Sequence, residues 1–363
     1  MAVTSRQKVF ERYLGREIYS ATALVLTAFL ALFAFFDLVR EFEDIGHGSY
    51  QFYQAVIYVS LTLPGRAYEL FPVAVLIGTL YALTMLARHS EIVVLRASGL
   101  STRSMLTALA KIGLVFALLT FLIGEFVAPP AEKAAQQLRL RALSSMVAQE
   151  FRSGLWLKDE YAFVNVQDVL PDNSLRNVRI YEFDHDYRLR SISDAAAGEY
   201  RPPNSWRLTN ITQTLFDGEK ARVAHLDEAL WQSALTPDIL TVLMVVPERM
   251  SLTTLYQYIR HLSENQQKTQ RYEIALWKKL FYPLASLVMM ALALPFAYNH
   301  DRMMAVSIKV FTGVMIGITF HMLNGLFSNL GVINSWRPLY AAITPSALFL
   351  LAAAGMLWWV ERR

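Results

Sequence analysis

The chain has 363 residues, of which 54% are apolar and only 18% charged, against about 25% charged in ordinary soluble domains. A soluble protein of this length needs more charge to wet its surface, and a disordered one needs low hydrophobicity with high charge, so both classes are excluded. There is no cysteine, hence no disulfide framework, thiolate metal site or cysteine nucleophile, and the placement of the cations behind the net charge of +4 decides what they serve.

A membrane helix needs about 20 largely uncharged residues. Ile18 to Phe36 is the first such run. It is followed by Asp37-Leu38-Val39-Arg40 and not by a small-residue cleavage site, so it reads as a retained helix and not a signal peptide. Leu70 to Ala87 is the second, preceded by apolar Ala55 to Leu63, with Pro64 and Pro72 as expected bends. Ser104 to Gly124, carrying only Lys111, is the third and is expected to stop at Glu125 and the Pro129-Pro130 pair. Leu280 to Asn299 is the fourth, with Pro283 and Pro295 inside it. Val310 to Ile333, starting near Met303 with Lys309 at its inner end, is the fifth. Leu339 to Val360 is the sixth and ends in Trp358-Trp359 beside Arg362-Arg363, an interfacial anchor.

The loops orient these spans. Twelve cations, from Arg6, Lys8, Arg12 and Arg16 through Arg88, Arg96, Arg103 and Lys111 to Arg302, Lys309, Arg362 and Arg363, fall on one side. The short loops opposite hold two, Arg40 and Arg337, beside Glu41, Glu43 and Asp44. The positive-inside rule then places both termini in the cytoplasm, and nucleic acid is not needed to explain the basic charge.

Ala131 to Tyr272 is polar and too long for a loop, so it is a domain on the outer side. Ala131 to Ala148 has helical composition. Short β-prone runs follow at Tyr161 to Val166, Asn177 to Phe183, Trp206 to Thr209 and Ala221 to Leu226, separated by Pro171-Asp172-Asn173, Pro202-Pro203-Asn204 and Asp217-Gly218. This spacing predicts an antiparallel sandwich or jelly roll, and Ser251 to Gln267 a helix returning to the membrane. The expected organisation is residues 1–130 with three transmembrane helices and a cytoplasmic helix near 90–99, 131–272 as a periplasmic all-β jelly roll, and 273–363 with three more transmembrane helices.

The sequence holds no phosphate-binding GxxxxGK[ST], HExxH, GxSxG or dinucleotide fingerprint. Its seven histidines never fall at metal-ligand spacing, so no metal site, cofactor or catalytic residue is expected in this chain. His321 and Asn324 lie three apart in the fifth span. An intramembrane ionisable group marks either a functional site or an imidazole bonded to a neighbouring helix. The loop from Arg88 to Arg103 offers more. Ser90 can cap a short helix with Glu91 in its first turn and Ile92, Val93, Val94 and Leu95 as its apolar residues, followed by Arg96 and ended by Gly99. Such a helix either rests on lipid or is a docking knob for a cytosolic partner, and a six-span chain without a nucleotide motif fits a permease driven by a separate ATPase.

Glu11 to Arg16, Gly46 to Tyr50, Ser90-Glu91 with Arg96 to Gly99, Gly124 to Pro129, Gly154 to Asp159 and Trp277 to Pro283, in that order, resemble the lipopolysaccharide export permeases of the YjgP/YjgQ family. The Gly154 and Trp277 patches look less like the LptF branch than like its paralogue. The resemblance implies a permease subunit of an ABC-type exporter that extracts lipopolysaccharide from the inner membrane. Its partners would be an LptF-like paralogue, an LptB-like ATPase dimer that binds the ATP and Mg, an LptC-like single-span protein and an LptA-like periplasmic bridge. The competing classes are a mechanotransmission or lipoprotein-release subunit, which usually has four spans, and a membrane-anchored periplasmic scaffold.

The resemblance also supplies site expectations. Ser90, Glu91, Ile92, Leu95, Arg96 and Gly99 would couple to the ATPase, and Phe29, Phe33, Phe311, Phe320, His321 and Asn324 would line a lateral gate or cavity. Lipopolysaccharide contacts are expected among Asp37, Arg40, Arg66, Lys133 and Arg139. Where such permeases carry lysines at the outer end of the first span, this sequence has Asp37, Glu43 and Asp44, with Arg40 the sole cation. Bare carboxylates would repel lipid phosphates unless Asp37 and Arg40, three apart, neutralise each other. Phosphate binding is then expected to shift to Arg40 with Arg139 and Lys133, helped by the partner chain or by divalent cations. Arg139 falls on a position basic in the family, and Gln136 replaces a second basic one.

Overall fold

The computed structural model describes residues 2–46, 49–97, 102–142, 155–159, 162–169, 174–184, 188–202, 204–217, 220–233, 246–264, 266–298 and 306–362, some side chains at element ends aside. Among the described residues, six helices are long and apolar enough to cross a membrane.

Helix α1 (Ala2–Glu41) has 40 residues, a length of about 60 Å, twice the hydrocarbon thickness of about 30 Å. Its N-terminal half is anchored by Phe10, Leu14, Ile18 and Ala21, spaced to share one face and all buried. Its C-terminal half, by contrast, exposes Leu24, Leu32, Phe35 and Phe36. Helix α2 (Phe52–Arg88) is the central post of the bundle, apolar on all sides and mostly buried. Pro64 and Pro72, expected as bends, lie inside one continuous helix, as membrane helices tolerate when neighbours re-satisfy the freed backbone groups. A Cβ on Gly78 would lie 2.6 Å from the Thr22 Cα, so α1 and α2 touch backbone to backbone at that point.

Helix α3 (Glu91–Ala97) follows a tight reversal. Ser90 takes φ 61 there, a left-handed conformation and not the extended one of an N-cap, while its carbonyl accepts from the Val94 amide. The expected cap is corrected to a left-handed linker.

Helix α4 (Thr102–Leu122) does not stop at Glu125. It passes through a π-turn, Ile123–Val127, into α5 (Ala128–Ala142). The Ala128 amide donates to the Ile123 carbonyl five residues back. This widening accommodates Pro129 and Pro130, which have no N–H to donate.

Six strands follow, β1 (Leu155–Asp159), β2 (Ala162–Val169), β3 (Leu175–Phe183), β4 (Leu189–Arg201), β5 (Ser205–Asp217) and β6 (Lys220–Gln232). They form one antiparallel sheet in sequence order. Val164, Val178, Ile180 and Ala195 alternate inward and share a core with Trp206, whose ring meets Tyr200 edge-on at 5.3 Å. A 3-10 turn (Pro247–Arg249) leads to α6 (Leu252–Glu264). Helix α7 (Gln270–Phe281) continues through a 3-10 turn at Pro283 into α8 (Ala285–Tyr298), so the fourth span begins ten residues before the expected Leu280. Helices α9 (Val306–Ile333) and α10 (Pro338–Glu361) complete the bundle. The main core joins Leu14 and Ile18 to Leu76, Leu80 and Leu83 of α2, Met105 and Leu109 of α4 and Met289 of α8.

Candidate functional site

At the end of the bundle where α5 leads to the sheet, charged side chains gather that the apolar spans keep out elsewhere. Asp37 of α1 and Arg66 of α2 form a two-point pair. Arg66 Nε donates to Oδ2 at 3.0 Å and Nη2 to Oδ1 at 2.9 Å, the fork geometry that makes arginine–carboxylate contacts strong. The Arg66 guanidinium lies 5.7 Å over the Phe33 ring and 3.6 Å from Glu69. Glu69 meets Arg249 at 3.4 Å, and Arg249 holds buried Glu132 of α5 at 3.1 Å. Burial works against the Arg249 charge, but the Glu69 and Glu132 carboxylates outweigh it and raise its pKa. The result is a belt of three carboxylates joined by two arginines, running from α1 across α2 to α5 and to the segment leaving the sheet.

A second cluster centres on Arg139, which pairs with Asp44, sits 3.8 Å from Glu41 and lies 5.4 Å over the Tyr58 ring. Tyr50 donates to Glu41 at 2.8 Å. Burial, and then that carboxylate, push the Tyr50 phenol above its ordinary range. A third pair joins Lys279 of α7 to Glu125 in the π-turn at 3.7 Å. Lys279 also donates to the Met250 carbonyl, and Glu125 accepts from the Leu252 amide at 3.0 Å. The widened turn thereby aims a carboxylate at the first turn of α6, where backbone donors lack intrahelical partners.

These contacts correct the reading of the acids as bare. Asp37 and Asp44 are neutralised, and Asp37 chiefly by Arg66, not by Arg40, which stands 3.9 Å away with 78% of its side chain exposed. Arg139 is committed to Glu41 and Asp44, Glu43 is exposed, Lys133 is exposed, and Gln136 donates to Glu132 at 3.2 Å. Arg40 therefore remains the accessible cation of the expected set on α1.

The expected gate residues do not form one lining. Phe29 and Phe33 are half-buried on α1, and Phe311 is exposed on α9. Phe320 belongs to the core, edge-on to Phe349 at 5.2 Å. Asn324 is buried and bonds back to the Phe320 carbonyl at 2.9 Å, whereas His321 is exposed, so the two do not share an environment. Of the coupling set, Ile92 is buried against the core and Glu91 accepts from the Tyr13 hydroxyl at 3.4 Å. Leu95 and Arg96 lie on α3, and Gly99 lies outside the described residues.

Glu69, Glu125, Glu132, Arg249 and Lys279 were not expected. Arg66 and Glu69, three apart inside an apolar helix, were the available signal, because charges in a span rarely survive without partners. Among the described residues there is no cluster of three or more metal-ligating side chains.

A bundle of six membrane-length helices with an inserted antiparallel sheet and paired charges where they join defines a multi-pass membrane protein. Residues 12–360 match the family described as lipopolysaccharide export system permease LptF/LptG, and the chain belongs to that family. It is 33% identical over 355 residues to the lipopolysaccharide export system permease protein LptG of Haemophilus influenzae, covering 97% of this chain and 98% of that one. To LptG of Escherichia coli it is 32% identical over 357 residues, 98% of each chain. The protein is thus a permease-family subunit of the inner membrane and not a catalyst.

Proposed function

We propose that this chain is the permease half of an ATP-driven exporter that draws lipopolysaccharide out of the inner membrane and hands it to a periplasmic bridge. The match over residues 12–360, which takes in all six spans and the sheet, carries this reading. The six strands form a wall of a periplasmic jelly roll, and both termini lie in the cytoplasm. An LptF-like paralogue completes the cavity, an LptC-like helix associates, an LptA-like bridge receives the lipid, and an LptB-like dimer supplies ATP hydrolysis. Helix α3 docks on that ATPase. Its buried Ile92 and the Tyr13–Glu91 contact tie it to α1 and α2, so a push on α3 reaches the bundle. At the other end, Arg40 meets the lipid phosphates first, while Arg66 and Arg139 stay with their carboxylates unless the belt opens.

The orientation has a direct test because the chain has no cysteine. A cysteine at Ser174, in the segment before β3, should react from outside with a membrane-impermeant maleimide in spheroplasts. One at Ser101 should react only after permeabilisation. The reverse pattern overturns the orientation.

A photo-crosslinker at position 40 should give a lipopolysaccharide adduct that grows with ATP in the reconstituted complex, and one at 139 should give less. Glu91→Lys should weaken ATPase association about ten-fold, the size of a lost charge-assisted contact of about 1.5 kcal/mol or more, and should remove the ATP dependence of the adduct. Adducts at neither position with transport intact would place the headgroup elsewhere. Wild-type assembly and growth of Glu91→Lys would make Glu91 a first-turn acid serving only its own helix.

A further inference from the structure

At the opposite end of the bundle from the charge belt, a cleft of about 640 Å³ opens between the inner parts of α1 and α4. Its floor is cationic. Arg12 and Arg16, one helical turn apart, both line it and both are exposed, and among the described residues neither is paired with a carboxylate. Side chains four apart on a helix have Cβ atoms about 5–6 Å from each other, so the two guanidinium groups can converge on one anion or on two neighbouring ones. Glu11, the acid at the cleft, does not cancel them, because Lys111 of α4 occupies it at 2.7 Å. Glu17, beside Arg16, is half-buried.

The walls are of a different kind. Tyr19 and Ser20 follow Arg16 one turn further along α1, and Ile112 faces them from α4. Gly15 at the base leaves room, since a Cβ placed there would be 3.4 Å from the Tyr19 ring. Beyond the cleft, Val115, Leu118, Leu119 and Leu122 form an exposed stripe running toward the membrane centre. A cationic floor at the depth where the charge-free span begins, continued by an apolar stripe, matches an amphiphile with an anionic head and acyl chains. It does not match a free ion, which would have no use for the stripe.

We infer that this cleft binds an anionic glycerophospholipid, its phosphodiester held by Arg12 and Arg16 and its chains lying along Val115 to Leu122. Guanidinium groups bind phosphate through paired N–H donors, and basic pockets between membrane helices on the cytoplasmic side are where such headgroups collect. The assignment to the cytoplasmic leaflet rests on the orientation proposed above, but the binding itself does not. The site lies at the far end of the spans from the one proposed to take up lipopolysaccharide, so this lipid is a structural occupant and not the cargo.

Native mass spectrometry of the purified full-length protein, with whatever subunits copurify, tests this inference. After delipidation the protein is offered phosphatidylglycerol, cardiolipin or phosphatidylcholine. Retention of the two anionic lipids above phosphatidylcholine is expected for the wild type, and Arg12→Gln/Arg16→Gln should weaken that retention about ten-fold. Gly15→Leu fills the cleft without changing charge and should also reduce it. Equal retention of all three lipids, or unchanged retention in both cleft variants, overturns the proposal. Full displacement of the lipid by inorganic phosphate overturns it in favour of a simple ion site. A gain in lipid retention on stripping a copurified subunit would show that a protein covers the cleft, and overturns it as well. Failure of the maleimide test alone would move the site to the other leaflet and leave the binding result standing.

Discussion

Arg66→Ala is expected to destabilise the protein by about 3 kcal/mol, the cost of leaving one partner of a desolvated ion pair without the other. Asp37 keeps only 14% of its side chain exposed and Arg66 22%, so solvent screens neither group well. The loss is local to α1. Its C-terminal half exposes Leu24, Leu32, Phe35 and Phe36, and this pair ties it to α2 alongside the packing of Leu38 on the cluster of Tyr50 and Ala55. Thermal unfolding of the detergent-solubilised protein should show the drop, and Asp37→Asn with Arg66→Met should recover most of it by removing both charges. A single variant within about 1 kcal/mol of wild type would place the pair among solvent-screened surface contacts, which are worth that much or less.

Gly78→Val should be comparably severe, at about 3 kcal/mol, near the top of the range for overpacking. An added Cβ would stand 2.6 Å from the Thr22 Cα and 2.7 Å from its amide nitrogen, and backbone cannot rotate aside as a flexible side chain can. Even Gly78→Ala requires α1 to move away from α2. Gly325→Ala is the control, since a Cβ there meets nothing within 4 Å. It should be neutral or slightly stabilising because alanine favours helix. Stability measurements on the three variants should rank Gly325→Ala first and Gly78→Val last. Equal stability would mean that the helices do not meet at Gly78.

The spans were legible because hydropathy is a local property and the membrane demands it along each helix. Pro129-Pro130 misled because a proline pair ends an ordinary helix, and no local pattern shows that a π-turn will absorb it. Strand β4 has an alanine-rich centre, Ala195-Ala196-Ala197, with little β preference of its own, and it becomes a strand through pairing with β3 and β5. The candidate site was the least legible part. Asp37 and Asp44 looked unpaired because their partners lie 29 and 95 residues away in sequence. Arg249 lies 117 residues from Glu132, beyond any windowed pattern.

That last contact makes the sheet a closed loop. The chain leaves the bundle past Glu132 and returns at Arg249, and the two side chains clasp at the root of everything between them. Shutting a ring of that size costs about 4 kcal/mol of chain entropy, a cost that secreted proteins commonly meet with a covalent crosslink. A cysteine-free chain has only a reversible fastener. Such a clasp opens without any covalent bond being broken, and because Glu69 of α2 grips the same arginine, the central helix and both legs of the ring share one joint.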